Sequence, residues 1–148
     1  MCLFWVGDNM SIFNKILENN KNSNIIIGLN NELKGLFIYN KFKEINDSLI
    51  VVLSSLYEAN MMYQTISNYT NDVVFFPMDD FLTSEALAVS PELKFTRLET
   101  LNSIINSKKI VVTNLMGYLR YLPPKKLYLE NVINLKVNND YNFKKLIE

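Results

Sequence analysis

The residues that could form a ligand-binding site lie in one turn. This turn follows the apolar run Ile25-Ile26-Ile27 and precedes a helical pattern. A phosphate-binding loop has Gly, four residues, a second Gly, Lys, and then Ser or Thr. Gly28 and Lys34 occupy the first Gly and the Lys positions. Leu33 replaces the second Gly, and Gly35 replaces the hydroxyl residue.

These two replacements remove specific functions. The second Gly lets backbone N–H groups close around the phosphates, and the hydroxyl binds Mg²⁺. The pattern therefore predicts a degenerate nucleotide site with no bound cofactor, and we expect Leu33 to fill the former pocket. An ordinary strand-to-helix turn that happens to contain Gly and Lys remains an open interpretation of Gly28–Gly35.

Composition excludes several classes of site. The chain has 148 residues, no His and a formal net charge of zero. Histidine-based acid–base catalysis and histidine metal ligation are therefore excluded. The only arginines are Arg97 and Arg120, and no basic stretch indicates direct nucleic-acid binding. The single Cys2 cannot form an internal disulfide, and the apolar runs are too short to span a membrane. We predict no catalytic residue and no metal site.

Three further sets of residues have alternative interpretations. Asp79 and Asp80 follow a predicted strand and could bind Mg²⁺, as in a helicase or a receiver domain. The favoured interpretation is that Asp80 accepts backbone hydrogen bonds or pairs with Arg97. Arg97 could bind a phosphate, but we expect it to tie its helix to the connection at 77–90. Aromatic residues could stack on bases, although core packing is favoured because no basic residues surround them; they are Tyr57, Phe75, Phe76 and Phe81.

The elements that must position these residues alternate along the chain. Apolar runs predict strands at 25–29, 48–53, 73–76, 109–113 and 132–137. Helical periodicity predicts helices at 12–17, 31–44, 56–66, 91–105 and 115–122, and the start of another at 140–148. We expect Asn30 or Asn31, and Ser90 before Pro91, to act as N-caps.

This alternation predicts an α/β fold, namely a three-layer, mostly parallel sheet with helices on both faces. The carboxyl ends of parallel strands lie at one edge of a sheet, which is where ligands bind in such folds. The sequence therefore predicts that the segments 28–35, 54–58, 77–81 and 113–115 share one edge.

The stretch from Val73 to Leu101 reads VVFFPMDDFLTSEALAVSPELKFTRLETL and resembles the N-terminal region of bacterial transcription-repair coupling factors (Mfd). The next stretch, KKIVVTNLMGYLRYLPP, resembles the strand, Thr turn, short helix and Pro end of that family. Phe81-Leu82-Thr83 departs from the Leu-Pro-Tyr that often follows the acidic residue there. The positions that match the family are Phe76-Pro77, Asp80, Ser90-Pro91 and Arg97-Leu98.

The resemblance implies a P-loop-NTPase-like fold similar to domain 1a of UvrB, with a degenerate nucleotide site. It divides the chain into a tail and helix at 1–23, a UvrB-like α/β domain at 24–137 and the truncated start of a small domain at 138–148. It implies that the matching positions are structural.

The implied function is a non-catalytic scaffold in transcription-coupled nucleotide excision repair, located in the cytoplasm. Its partners would be other domains of the parent chain and, through an adjoining domain largely absent here, UvrA. No cofactor, membrane or direct nucleic-acid contact is implied, and the family's ATP-dependent DNA translocase lies in later domains. The alternative is a genuine nucleotide-binding domain of the ATPase or helicase type with an atypical loop.

Overall fold

The computed structural model describes residues 26–80, 90–133 and 135–142. The predicted helix at 12–17, Phe81 and most of the connection at 77–90 lie outside these ranges. The described elements alternate between helix and strand. In chain order they are α1 (Asn31–Glu44), β1 (Leu49–Leu53), α2 (Leu56–Ser67), β2 (Val73–Phe76), α3 (Pro91–Asn106), β3 (Ile110–Asn114), α4 (Leu115–Tyr118) and α5 (Lys125–Glu130).

The three described strands form one parallel sheet in the order β1-β3-β2. Val51 of β1 and Phe75 of β2 both lie opposite Val112 of β3. Because side chains alternate between the two faces of a sheet, these residues share one face, and Ile50 and Val111 lie on the other. The predicted α/β class with a parallel sheet is confirmed.

The face that carries Val112 is covered by α2. Its residues Ala59 and Ile66 are fully buried, and they belong to one cluster with the buried strand residues Ile110 and Val112. Tyr63 of α2 stacks on Phe75, with ring centroids 5.3 Å apart. These contacts form the hydrophobic core of the described residues.

Helix α1 packs on α2 through the buried Gly35. A Cβ atom on Gly35 would lie 2.7 Å from Cγ2 of Thr65, which is itself buried. The hydroxyl of Thr65 donates to the carbonyl of Met61, which restricts its rotation. Close helix packing therefore accounts for a glycine at position 35.

The opposite face of the sheet is covered less completely. Leu101, Ile104 and Ile105 of α3 line a cavity of about 330 Å³ together with Ile50 and Val111. Helices therefore lie on both faces of the sheet. The predicted apolar face of α3 is only partly correct, because Phe95 and Leu98 are 70% and 50% exposed.

Two predicted strands are wrong over their described residues. Residues 26–29, and residues 132–133 and 135–137, have no strand structure. Ile27 is 85% exposed and Val137 is 91% exposed. An apolar run becomes a strand only where a neighbouring strand supplies hydrogen-bond partners, and no described strand does so here. Ile25 and Asn134 lie outside the described residues.

The helix α5 was missed because Pro123-Pro124 suggests a stop. Pro124 instead precedes the first helical residue with φ −54°, a value compatible with helix initiation. The helix predicted at 115–122 ends at Tyr118, and residues 140–142 are not helical. Among the described residues, none of the helices has both the length and the apolar character that crossing a bilayer requires.

Candidate functional site at the carboxyl edge of the sheet

The carboxyl edge of the sheet is organised around Asn114, the last residue of the central strand, which is fully buried. Its Oδ1 accepts hydrogen bonds from the N–H groups of Met78 (3.1 Å) and Gly117 (3.3 Å). Its Nδ2 donates to the carbonyl of Met78 (2.7 Å) and to Oδ1 of Asp80 (2.6 Å). One side chain thus caps α4 and holds the segment that follows β2.

Asp80 connects that segment to α2. Its two carboxylate oxygens accept from the N–H of Leu56, at 3.0 and 2.9 Å. Leu56 is the first residue of α2, where backbone N–H groups lack helical partners and attract negative charge. The carboxylate therefore lies where a helix would bind an external anion. The structure shows the first of the two alternatives for Asp80, and it records no ion pair between Asp80 and Arg97.

Two polar side chains tie α3 to β2. Nη1 of Arg97 donates to the carbonyl of Pro77 at 3.0 Å, so the expected link between this helix and the connection at 77–90 is present. The hydroxyl of Thr100, the buried residue of α3, donates to the carbonyl of Phe75. Partial burial, reinforced by the positive charge of Arg120, lowers the pKa of Arg97 from its usual value, and Asp79 opposes this shift.

Gly117 completes the packing beneath this network. A Cβ atom there would collide with the hydroxyl oxygen of Thr113 and would lie 3.0 Å from the carbonyl oxygen of Phe76. That same hydroxyl donates to the carbonyl of Phe76 at 2.7 Å. Only glycine allows α4 to approach the strand ends this closely.

The turn at 28–35 uses backbone N–H groups in the first turn of α1 for hydrogen bonds within the chain. Asn30 is the N-cap of α1, and its side chain accepts from the N–H of Leu33 at 2.9 Å. The N–H of Lys34 donates to the carbonyl of Asn30, also at 2.9 Å. Gly28 has a φ of +84° with open space around it, which fits a turn before the helix.

A cavity of about 360 Å³ nevertheless lies beside Lys34. Lys34 and Glu58, which carry opposite charges, both line this cavity. Leu53, the last residue of β1, lines it as well. Leu33 does not line this cavity and is 40% exposed, so the prediction that Leu33 fills the former pocket is wrong. Its side chain points elsewhere because it occupies the first turn of α1, where successive residues face different directions. The full lining is Asn31, Lys34, Leu53, Tyr57, Glu58, Met61 and Met62.

The Ser90-Pro91 pair begins α3, but in a different manner from that predicted. Pro91 is the first helical residue, as expected. Ser90 makes no side-chain capping bond to the helix backbone, and its hydroxyl donates instead to the carboxylate of Glu92. This hydrogen bond lowers the pKa of Glu92. Leu98, the last of the family-motif positions, is half exposed.

The predicted meeting of four segments at this edge is therefore seen in its described parts. Asp80 joins the segments after β1 and β2, Asn114 joins those after β2 and β3, and Lys34 lies beside the end of β1. Sequence reasoning missed Asn114 and Thr100. A signal for Asn114 was available, because an Asn at a strand end directly before a helix is a common N-cap.

The described polar side chains at this edge take part in hydrogen bonds within the chain. No cluster of three or more His, Cys, Asp or Glu residues suited to a metal ion occurs within residues 26–80, 90–133 and 135–142. Phe75 and Phe76 lie in the sheet. Phe76 is buried, and Phe75 stacks on Tyr63 and packs against the core. Tyr57 is 72% exposed and lines the cavity beside Lys34.

Comparison with known proteins finds several bacterial relatives that share one name. The transcription-repair-coupling factor of Staphylococcus epidermidis is 28% identical to this chain over 119 residues, which is 78% of the chain and 10% of that protein. The factor of Bacillus subtilis (strain 168) is 26% identical over 136 residues, which is 90% of the chain and 12% of that protein. The factor of Staphylococcus haemolyticus is 27% identical over 119 residues.

This chain is a relative of the transcription-repair-coupling factors. The resemblance predicted from the Phe-Pro, Ser-Pro and Arg-Leu positions is thereby confirmed. The chain spans about a tenth of the length of these curated coupling factors. No family model matches the chain, and no solved structure matches it. The relationship to the coupling factors therefore rests on sequence comparison, and the α/β class rests on the structure.

Proposed function

We propose that this chain is a non-catalytic scaffold and interaction module of a transcription-repair-coupling factor, acting in transcription-coupled nucleotide excision repair. The observation that carries the proposal is the hydrogen bond from the N–H of Leu56 to the carboxylate of Asp80. The N-terminus of α2, which could bind a phosphate, is occupied by an anion of the chain itself. Similarly, the side chain of the N-cap Asn30 accepts a hydrogen bond from the N–H of Leu33 at the start of α1.

In this proposal, the hydrogen-bonded side chains at the carboxyl edge hold loops and helices in position. Asn114, Asp80 and Arg97 link the ends of all three described strands to three helices. Such a network fixes loop geometry because each buried polar group that loses its partner destabilises the fold. A rigid α/β unit of this kind would hold neighbouring parts of the parent chain in place.

The resemblance supplies the finer parts of the proposal. We assign 24–137 to a UvrB-like α/β domain with P-loop-NTPase-like ancestry, with a tail and helix at 1–23 and the start of a small domain at 138–148. The partners are other domains of the parent chain and UvrA, which the adjoining small domain would recruit. The proposed location is the cytoplasm, with no direct contact to nucleic acid or membrane. ATP-driven translocation would belong to other parts of the parent protein.

Nucleotide binding tests the scaffold role. The chain is heated with and without millimolar Mg-ATP or Mg-ADP, and the melting temperature Tm is followed by circular dichroism. The scaffold role predicts no nucleotide-dependent shift in Tm, because a ligand stabilises a fold only if it binds the native state. Lys34→Ala is compared with Lys126→Ala, a control on α5 that does not line the cavity beside Lys34. A saturable shift lost only in Lys34→Ala would overturn the proposal.

A titration with UvrA tests the assignment of that contact. We expect this chain to bind Bacillus subtilis UvrA more weakly than the complete coupling factor of the same organism does, because the proposal assigns most of that contact to an adjoining domain. Isothermal titration calorimetry measures both affinities. Equal affinities would place the contact on this chain and contradict its assignment to the adjoining domain.

The cavity beside Lys34 favours a second candidate function, a genuine nucleotide-binding domain of the ATPase or helicase type with an atypical loop. Its volume of about 360 Å³ lies within the range of small-molecule sites. Tyr57 on its wall could stack on a base, and Lys34 could contact a phosphate. Glu58 on the same wall would repel that phosphate, which is why the scaffold role is preferred.

A further inference from the structure

The outer edge of β2 carries backbone carbonyls that face away from β3. The N–H of Ile110 donates to the carbonyl of Asp72 at 2.8 Å, which fixes the carbonyl of Asp72 towards β3. Because backbone groups alternate along an extended chain, the carbonyls of Phe75 and of Pro77, directly after the strand, point the other way. Outward groups of this kind are those through which a sheet edge pairs with a strand of another chain.

Two side chains of α3 occupy these outward carbonyls. The hydroxyl of Thr100 donates to the carbonyl of Phe75, and Nη1 of Arg97 donates to the carbonyl of Pro77 at 3.0 Å. Arg97 and Thr100 are three residues apart, so they lie on the same face of α3 about one turn from each other. The later helix residue bonds the earlier strand residue, which means that α3 follows the edge of β2 in the antiparallel direction. The helix therefore supplies hydrogen-bond donors in the place where a further strand would supply them.

Pro77 adds a second kind of protection to the same edge. It is fully buried, and a proline has no backbone N–H with which to donate to a neighbouring strand. Proline at a sheet edge is one of the features that prevent pairing with other chains. Position 77 thus offers an incoming strand no donor, and its carbonyl already accepts from Arg97.

The two hydrogen bonds also determine how closely α3 lies against β2. A cavity of about 510 Å³ separates parts of the two elements, and residues of both line it, including Val73, Phe75 and Thr100. Close packing does not hold the helix against the strand in this part of their contact. Thr100 is only 3% exposed, so its bond to Phe75 forms away from water, where loss of a partner is costly. The side chains of Thr100 and Arg97 therefore keep the helix at this edge.

We propose that Arg97, Thr100 and Pro77 form an edge-closing device, which prevents β2 from pairing with a strand of a second copy of this chain. The strand needs such a device because Val73–Phe76 consists only of β-branched and aromatic residues and carries no charge. A strand of this composition associates readily when its edge is exposed. The formal net charge of zero adds no overall repulsion between copies. This role is separate from the proposed scaffold function, and it gives two of the family-motif positions, Pro77 and Arg97, a physical task.

Self-association of variants tests the proposal. Thr100→Val removes the hydroxyl but keeps the branched shape, and it should raise the association constant about tenfold over that of the unaltered chain in analytical ultracentrifugation. The reason is that an incoming strand can then donate to the carbonyl of Phe75. Thr100→Ser keeps a hydroxyl and should associate no more than the unaltered chain. Thr65→Val is the matched control, because Thr65 is also buried but donates to the carbonyl of Met61 within its own helix. Equal association of Thr100→Val and Thr65→Val would overturn the proposal.

Arg97→Met tests the device independently, also if Thr100→Val does not fold. It removes the donor to Pro77 and should raise the association constant by a smaller factor of about three. Arg120→Met is the control, because it changes the net charge equally and should leave association unchanged. Hydrogen exchange measured by mass spectrometry locates the contact, since pairing through β2 should slow exchange over residues 73–77 in the associated species. Equal effects of the two arginine variants, or association without slower exchange there, would contradict the proposal.

Discussion

The carboxyl edge of the sheet and the outer edge of β1 differ in whether their polar groups have hydrogen-bond partners among the described residues. At the carboxyl edge Asn114 alone makes hydrogen bonds to Met78, Gly117 and Asp80. No buried side-chain nitrogen or oxygen among the described residues lacks a hydrogen-bond partner. Along the outer edge of β1 the backbone groups of Ile50 and Val52 have no described partner, and their apolar side chains face solvent.

The difference separates a region whose buried polar side chains are all hydrogen-bonded from a strand edge whose backbone groups have no described partner. Groups that are satisfied within the chain have little hydrogen-bonding capacity left for a ligand, whereas unpaired strand groups gain stability when another strand joins them. Substitutions at the carboxyl edge should therefore lower the free energy of unfolding. Substitutions of the exposed side chains at the outer edge of β1 should leave the free energy of unfolding nearly unchanged.

Asn114→Ala should have the strongest effect on stability. It removes four hydrogen bonds from a fully buried position and leaves groups of Met78 and Asp80 without this partner. We expect a loss of about 3 kcal/mol in the free energy of unfolding, measured by urea denaturation. The control Asn106→Ala removes an exposed bond within α3 and should cost under about 0.5 kcal/mol. Similar losses for both variants would contradict the central role of Asn114.

Gly117→Ala tests the close approach of α4 to the strand ends. The added Cβ collides with the hydroxyl oxygen of Thr113 and lies 3.0 Å from the backbone carbonyl oxygen of Phe76, which cannot move easily. The expected loss is about 2 kcal/mol, seen as a lower Tm. Gly28→Asn is the control, because Gly28 has open space around it and Asn tolerates a positive φ. The explanation fails if Gly117→Ala melts at the temperature of the unaltered chain.

Asp80→Asn keeps an acceptor for the N–H of Leu56 but removes the negative charge from the start of α2. Because Asp80 is exposed and screened by solvent, the expected loss is only about 1 kcal/mol by urea denaturation. Asp47→Asn is the control, since Asp47 bonds only the adjacent N–H of Ser48. If the anion of Asp80 is what blocks a phosphate, Asp80→Asn should also bind ATP no worse than the original chain.

Ile50→Thr gives the smallest expected change in stability and the sharpest contrast. Ile50 is more than half exposed, and Thr retains the β-branched shape that suits a strand, so the free energy of unfolding of the monomer should change by under about 0.5 kcal/mol. A large loss of stability in urea denaturation would contradict the contrast between the two edges.

Much of the architecture could be predicted from local sequence. The bounds of α1 agree with those predicted, and β1, β2 and β3 lie within one residue of their predicted limits. These elements have strong apolar patterns and clear caps, such as Asn30 before α1. The strand predicted at 25–29 failed over its described residues because an apolar run cannot by itself supply a neighbour for its backbone groups.

The candidate site was predictable as a location but not as a set of contacts. Parallel strands predict that the segments after β1, β2 and β3 meet, and Asp80 was identified as a capping residue. Which N–H groups Asp80 would cap, and that Asn114 would lie between Met78 and Asp80, depended on residues far apart in the chain. Local periodicity carries no information on such pairs.

The sequence by itself determined the α/β class, the absence of histidine chemistry and the kinship with transcription-repair-coupling factors, because composition, periodicity and motif order are written along the chain. The tertiary structure alone decided that Gly35 serves helix packing and that Leu33 leaves the cavity beside Lys34 unfilled. It also decided that Thr100 bonds the outer edge of β2, whereas no described strand pairs with the outer edge of β1. The reason is physical, since burial and hydrogen bonding depend on which distant segments meet in space.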